Sequence, residues 1–150
     1  MPRKDSAISI VELETKSQFE SIYPLIAQIN PDMTKKEFKQ LLKEMLEQNY
    51  RCIAAYKGKK LVGICGMWCG TRFWCGRFID VDNVVVDKSV RGQGVGALMM
   101  KWVEKEAKKQ KANHVGADSY TKDGAAHRFY FRERFTILGY HFVRKLRRSR

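Results

Sequence analysis

Apolar residues recur along this chain in two periods, and the periods alternate. Ile8, Ile10 and Leu13, with polar residues between, predict a short strand. Phe19, Ile22, Tyr23, Ile26 and Ile29 then fall on one helical face, stopped near Asn30-Pro31. Thr34-Lys35-Lys36-Glu37 has the pattern of a capping box, and the helix it opens puts Phe38, Leu41, Leu42, Met45 and Leu46 on one side. Such stripes usually report core packing. Residues 50–56 and 61–68 predict two strands joined by a turn at Lys57-Gly58-Lys59-Lys60, hence an antiparallel hairpin.

The second half repeats the alternation. Residues 78–86 form an apolar, β-branched run that predicts a buried strand, and Asp87-Lys88-Ser89 breaks it. Arg91-Gly92-Gln93-Gly94-Val95-Gly96 follows, and then Val95, Leu98, Met99, Trp102 and Val103 on one helical face. Between the halves, Trp68-Cys69-Gly70 and Trp74-Cys75-Gly76 bracket an expected second hairpin with its tip near Arg72. One copied tripeptide is not a structural repeat, and these aromatics read as core or as walls of a pocket. Residues 114–119 predict a strand parallel to the central one. Residues 121–124 lead into a short helix with Phe129 and Tyr130, and residues 136–143 predict the last strand or strands. This order predicts an α/β fold: a mixed, mostly antiparallel sheet flanked by helices.

A length of 150 residues predicts one domain over 1–150 with no linker. The net charge of +13 attracts phosphates, polyanions or acidic substrates without bearing on fold. Part of it lies in a basic tail, residues 144–150, for which a nucleic-acid partner is not the favoured reading. Cys52, Cys65, Cys69 and Cys75 have no CxxC spacing and sit in strand-like segments. Buried free thiols in a reducing compartment are therefore expected, with neither a metal site nor disulfides. Residues 1–13 contain no apolar core of signal-peptide length, and no apolar run approaches the roughly 20 residues of a membrane span. A cytoplasmic protein with no membrane partner is expected.

Two features suggest chemistry. A strand feeding a glycine turn and then a helix start makes a phosphate site, because the first helical amides lack internal partners and glycine lets an anion approach. Gly92 to Ala97 also fits the dinucleotide pattern G-x-G-x-x-G/A, with Asp118 at a strand end downstream. That fingerprint normally opens a unit with several more strands than remain here. The second feature is Asp80 and Asp82, at i and i+2 on an apolar strand and so on one face. Carboxylates there are costly unless paired, hydrated or used. Arg77 is the expected partner of either.

Arg91, Gly94 and Gly96, as R-x-x-G-x-G after a strand, resemble the acetyl-CoA signature of the GNAT family of N-acetyltransferases. Residues 126–135, AHRFYFRERF, resemble the family's A-x-x-F-Y-x-x-x-G-F segment, with Arg134 where the family has Gly. A left-handed Gly often ends the preceding helix there, so the loop before Phe135 is where departure is expected. The resemblance implies the GNAT acyl-CoA fold, with two parallel strands splayed to admit the cofactor. It implies acetyl-CoA as co-substrate, no metal, and direct attack by a primary amine of a small molecule or peptide in a ternary complex. Main-chain groups of Val84, Val85 and Val86 would bond the pantetheine. The loop at Gly92, with the amides of Gln93, Gly94, Val95, Gly96 and Ala97, would hold the pyrophosphate, beside the side chain of Arg91 or Gln93. Ser119 and Arg128 would touch coenzyme A. Tyr130 matches the residue that protonates the departing thiolate. Asp82 is the first choice for base and Asp80 the second. Homodimerisation is common in the family. The rival reading is a non-catalytic module that senses acyl-CoA or binds nucleic acid through its basic surface.

Overall fold

The computed structural model describes residues 7–147. Strand β1 (Ile8–Glu12) is followed by helices α1 (Lys16–Glu20), α2 (Tyr23–Ile29) and α3 (Lys35–Glu47). Strands β2 (Arg51–Lys57), β3 (Lys60–Arg72) and β4 (Gly76–Val86) come next, then α4 (Val95–Lys109), β5 (His114–Ala117) and α5 (Gly124–Arg132). The sheet runs β1-β2-β3-β4-β5, antiparallel throughout except for β4 and β5, which are parallel. This is the mixed sheet that the alternating periods predict.

Each face of the sheet carries its own core. Ile53, Val62, Cys65, Met67, Ile79 and Val81 pack with Val95, Met99 and Val103 of α4, and Phe129 and Tyr130 of α5 lie against them. On the other face Cys52, Ala54, Ile64 and Val85 pack with Phe19, Ile22, Leu25, Phe38 and Leu42 of α1 to α3. Arg51 crosses between elements, bonding Glu12 of β1 at 2.6 Å and Glu106 of α4 at 3.0 Å. The capping box at α3 forms as its residues require: the Glu37 amide donates to Thr34 Oγ1, and the Thr34 amide to Glu37 Oε2.

Four expectations are corrected. The first predicted helix is two, broken at Ser21-Ile22. Pro24 cannot donate to the carbonyl four residues back and its ring would strike it, so it sits in the first turn of a new helix instead. The buried face of α4 is rotated from the predicted one. Met100 and Ala107 are buried, whereas Leu98 is 42% exposed and Trp102 half-buried. The cysteines divide. Cys52 and Cys65 are buried, and burial pushes the Cys52 thiol up to about 12 and Cys65 higher still, which makes them inert. Cys69 is exposed and Cys75 half-buried beside the β3–β4 turn. Finally, residues 136–143 form no strand within this chain; they run on exposed beyond α5. Of the basic tail, 144–147 are exposed, and 148–150 lie outside the described residues, as do the first six residues of the N-terminal stretch. No helix among the described residues is long and apolar enough to cross a membrane.

Candidate active site

The site begins with an irregularity in β4. Gly66 pairs with Asp82 and Ile64 with Val85, so Asn83 and Val84 together oppose Cys65 alone. Asn83 takes the left-handed conformation, φ 54°, that this β-bulge needs. The extra residue reverses the alternation of side chains. Ile79 and Val81 face α4 before the bulge; Val84 and Val86 face it afterwards, while Val85 turns to the other core. β5 pairs with β4 only from Phe78 to Val81. Beyond that point β4 continues to Val86 with no strand paired on its β5 side among the described residues. The main chain of Val84, Val85 and Val86 therefore borders an open gap between parallel strands.

Gly66 makes the bulge possible. A Cβ at Gly66 would collide with the Tyr50 hydroxyl and lie 2.6 Å from the Asp82 carbonyl. Tyr50 fills that space and donates its hydroxyl to Asn83 Oδ1 at 3.3 Å. Buried between Phe19 and Trp68, its own ionisation is pushed well above the usual tyrosine range, by burial first.

At the end of β4, Asp87 caps a short turn, Lys88–Val90, by accepting from the Ser89 amide at 2.9 Å. The chain then reaches α4 through Gly92 (φ 77°) and Gly94 (φ 81°), with open space where a Cβ would stand. Gly94 is the N-cap and supplies no side chain. The first turn of α4 closes with the Leu98 amide on the Gly94 carbonyl at 3.1 Å. Among the described residues, the amides of Gly94, Val95, Gly96 and Ala97 have no acceptor, which is an anion-binding arrangement. Gln93 differs: its amide already donates to the Val90 carbonyl at 3.3 Å. Arg91 lies exposed beside the loop with Nε 3.3 Å from the Val86 carbonyl. Gly96 serves packing. A Cβ there would stand 2.7 Å from the Phe129 ring, so its absence lets α5 dock against the start of α4.

That docking places Tyr130. Its ring sits edge-on between Phe129 (5.3 Å) and Phe135 (5.2 Å). Burial raises its pKa to about 12, with the charge of Asp82 among the smaller causes acting the same way, so it keeps its proton throughout the neutral range. In the loop after α5, Arg134 adopts φ 67°, the left-handed conformation for which a glycine is usual.

On the opposite side, Asp82 faces a cavity of about 210 Å³ whose walls include Ile26, Met33, Phe38, Tyr50 and Asn83. Trp68 donates its indole Nε1–H to Asp82 Oδ2 at 3.1 Å, and its ring lies tilted against Tyr50 with centroids 5.1 Å apart. Asp80 is held differently, by Arg72 at 2.8 Å. The guanidinium of Arg72 also lies 3.7 Å over the Phe78 ring. The expected partner Arg77 instead reaches the Gln110 carbonyl at 3.5 Å. A larger hollow, about 370 Å³, lies against α3 among Lys16, Lys39 and Lys43, but no candidate acid, base or cofactor group lines it.

The structure thus brings Val84 to Val86, the loop at Gly92 to Ala97, Asp82 and Tyr130 to the carboxyl end of two parallel strands. Ser119 and Arg128 are exposed around that end, and Ser119 Oγ lies 3.5 Å from the Tyr120 carbonyl. Sequence reasoning did not single out Trp68 as the donor that orients Asp82, nor the Gly66–Tyr50–Asn83 arrangement. A glycine and an asparagine inside apolar strands were the available signals.

Comparison with known proteins shows the family and the fold. The model of the family described as Acetyltransferase (GNAT) family matches residues 14–135. An aminoalkylphosphonate N-acetyltransferase from Salmonella typhimurium is 24% identical over 151 residues, covering 97% of this chain and 98% of that protein. An aminoglycoside N-acetyltransferase in complex with CoA superposes with a TM-score of 0.83 at 16% identity, covering 97% of this chain and 99% of that one. Glucosamine-6-phosphate N-acetyltransferase from Arabidopsis thaliana superposes with a TM-score of 0.72 at 17% identity, covering 95% and 100%.

Proposed function

From the premise that the chain belongs to the acetyltransferase (GNAT) family, as an acetyl-CoA-dependent N-acetyltransferase, we propose how its residues divide the reaction. The observation that carries the proposal is the meeting of three features at one place. Unpaired β4 main chain after Val81, unpaired amides at the start of α4, and the protonated Tyr130 hydroxyl converge there.

Val84 to Val86 bond the pantetheine as an added strand would. The amides of Gly94 to Ala97 grip the pyrophosphate, and Arg91 adds a cation. Asp82 draws the proton from the acceptor, since an alkyl ammonium near pKa 10.4 has no free lone pair. Trp68 keeps one Asp82 oxygen occupied and leaves the other for the amine or a bridging water. The nitrogen attacks the thioester carbonyl, the C–S bond breaks, and Tyr130 supplies a proton to the departing sulfur. Asp80, neutralised by Arg72, is the weaker candidate for base.

The acceptor is a small primary amine. The Asp82 cavity is smaller than the roughly 300–1,000 Å³ of drug-sized sites, and it is mostly apolar around one carboxylate. A short alkyl chain carrying an ammonium suits both features. The Salmonella relative is named for aminoalkylphosphonates, which makes short amines bearing an oxyanion the first acceptors to try. The inert buried thiols and the dependence on acetyl-CoA support work in the cytoplasm. The decisive experiment supplies acetyl-CoA with aminoalkylphosphonates, polyamines, aminoglycosides and lysine peptides, and measures thiol release and acetylated product. Turnover should be highest with the short amines. Tight acetyl-CoA binding with no product from any amine would convert the reading to an acyl-CoA sensor.

A further inference from the structure

An amine that also carries an oxyanion needs two counter-charges, and the cavity at Asp82 supplies one. Among the described residues, no lysine or arginine lines it. Along β4 the side chains of Phe78, Asp80 and Asp82 share one face, opposite the face that Ile79 and Val81 turn to α4. Arg72, at the end of β3, brings a permanent cation onto that face. Its guanidinium lies 3.7 Å over the Phe78 ring, and its Nη2 donates to Asp80 Oδ2 at 2.8 Å.

Two glycines make room for this arrangement. Gly70 stands opposite Phe78, and a Cβ on it would lie 2.8 Å from the Phe78 ring. Gly116 stands opposite Asp80, and a Cβ on it would lie 2.5 Å from Asp80 Oδ1. The ring thus takes the place of a β3 side chain and, being buried itself, gives the guanidinium a fixed support. A guanidinium presents a fork of N–H donors on three nitrogens, and Asp80 occupies one of them. Arg72 Nε and Nη1 have no acceptor among the described residues, and the side chain stays 42% exposed.

Given an acceptor of the class inferred above, on which this step rests, we propose that Arg72 determines specificity. It binds the oxyanion of a short amine whose ammonium sits on Asp82. Positions 80 and 82 are about 6.5 Å apart along the strand. A molecule with its amine at Asp82 and a phosphonate or carboxylate two carbons away therefore reaches the guanidinium without leaving the face. Asp80 and Phe78 hold the guanidinium in place beforehand, and its remaining donors match a planar or tetrahedral oxyanion.

The test is calorimetry on the protein loaded with coenzyme A, so that binding is read without turnover. The probes are 2-aminoethylphosphonate, β-alanine and propylamine, which share an amine and differ at the other end. One or both anions should bind at least roughly tenfold tighter than propylamine, and which does so separates phosphonate from carboxylate. Arg72→Gln should remove that preference, with cooperative thermal unfolding showing that the variant folds. An Asp80 left unpaired would also repel an anion, so the double variant Arg72→Gln with Asp80→Asn decides between the two causes. The preference stays lost there if Arg72 touches the oxyanion. Its return would mean that Arg72 only screens Asp80, and would overturn the proposal. So would a wild-type protein with no preference, or a preference that survives Arg72→Gln. The preference without acetylation of any probe would defeat the proposed reaction and keep the subsite; acetylation of propylamine with no preference for an anion would do the reverse.

Discussion

The two halves of the candidate active site differ in the groups they offer. On the proposed cofactor side these are main-chain amides and carbonyls, from β4 after Val81 and from the first turn of α4. Side chains matter there mostly by their absence, as at Gly92, Gly94 and Gly96. On the proposed acceptor side they are side chains: Asp82 and Asn83 of β4, Trp68 of β3 and Tyr50 just before β2, beside α2 and α3. A main-chain site tolerates change wherever the backbone keeps its path, and fails at the few glycines that set that path. A side-chain site fails by degrees, according to what each group touches.

Breaking the cofactor side should give the largest effect. Gly94→Glu places a carboxylate, in a left-handed conformation, where the diphosphate is to lie. Acetyl-CoA affinity by calorimetry should fall by at least roughly a hundredfold, since charge repulsion and strain add. Wild-type affinity would remove the loop from the site.

The next effects are on chemistry, not on cofactor binding. Asp82→Asn should lower kcat by about 10²–10⁴, as expected for loss of a general base, with acetyl-CoA affinity held. The same loss in Asp80→Asn, with Asp82→Asn active, would reassign the base. Tyr130→Phe should lower kcat by about 10²-fold with little change in the acetyl-CoA KM. The protonated form of Tyr130 is the working one, and its pKa is raised to about 12. It is therefore present at every lower pH, and Tyr130 should produce no basic limb up to pH 10 in the kcat profile. A fall in kcat near the ordinary tyrosine value would contradict this placement.

A smaller effect sharpens the contrast. Trp68→Phe keeps an aromatic ring on Tyr50 but removes the donor to Asp82. It should reduce kcat by about tenfold, leaving acetyl-CoA affinity unchanged. An unchanged kcat would limit Trp68 to packing. The smallest effect lies outside both halves. Arg134→Gly relieves a side chain at φ 67° and should raise stability by about 0.5–1 kcal/mol, or roughly 2–4 °C in Tm by calorimetry.

This division also explains what could be read in advance. The glycine turn, the strand before it and the helix after it are contiguous, and their local conformations follow from local residue types, so the cofactor side was legible. The capping box at Thr34 and Glu37 was legible for the same reason. Trp68 and Asp82 are fourteen residues apart and meet only because β3 and β4 pair with Gly66 opposite Asp82 and Trp68 opposite Asp80. The break between α1 and α2 was visible at Pro24 but was overridden by the apolar stripe that runs through both helices. Residues 136–143 have a strand's pattern, yet pattern alone does not say which sheet a strand joins.

What the sequence alone determined is therefore local: the alternation of strands and helices, the bend that exposes amides before α4, and the two motifs that mark the family. Tertiary structure decided which carboxylate meets an indole and which meets a guanidinium, and it turned Gly66 into room for Tyr50. It also left residues 136–143 outside the sheet. The reason is the range of the forces: a dihedral preference acts within a few residues, whereas a hydrogen bond between side chains depends on where two distant backbones are brought to lie.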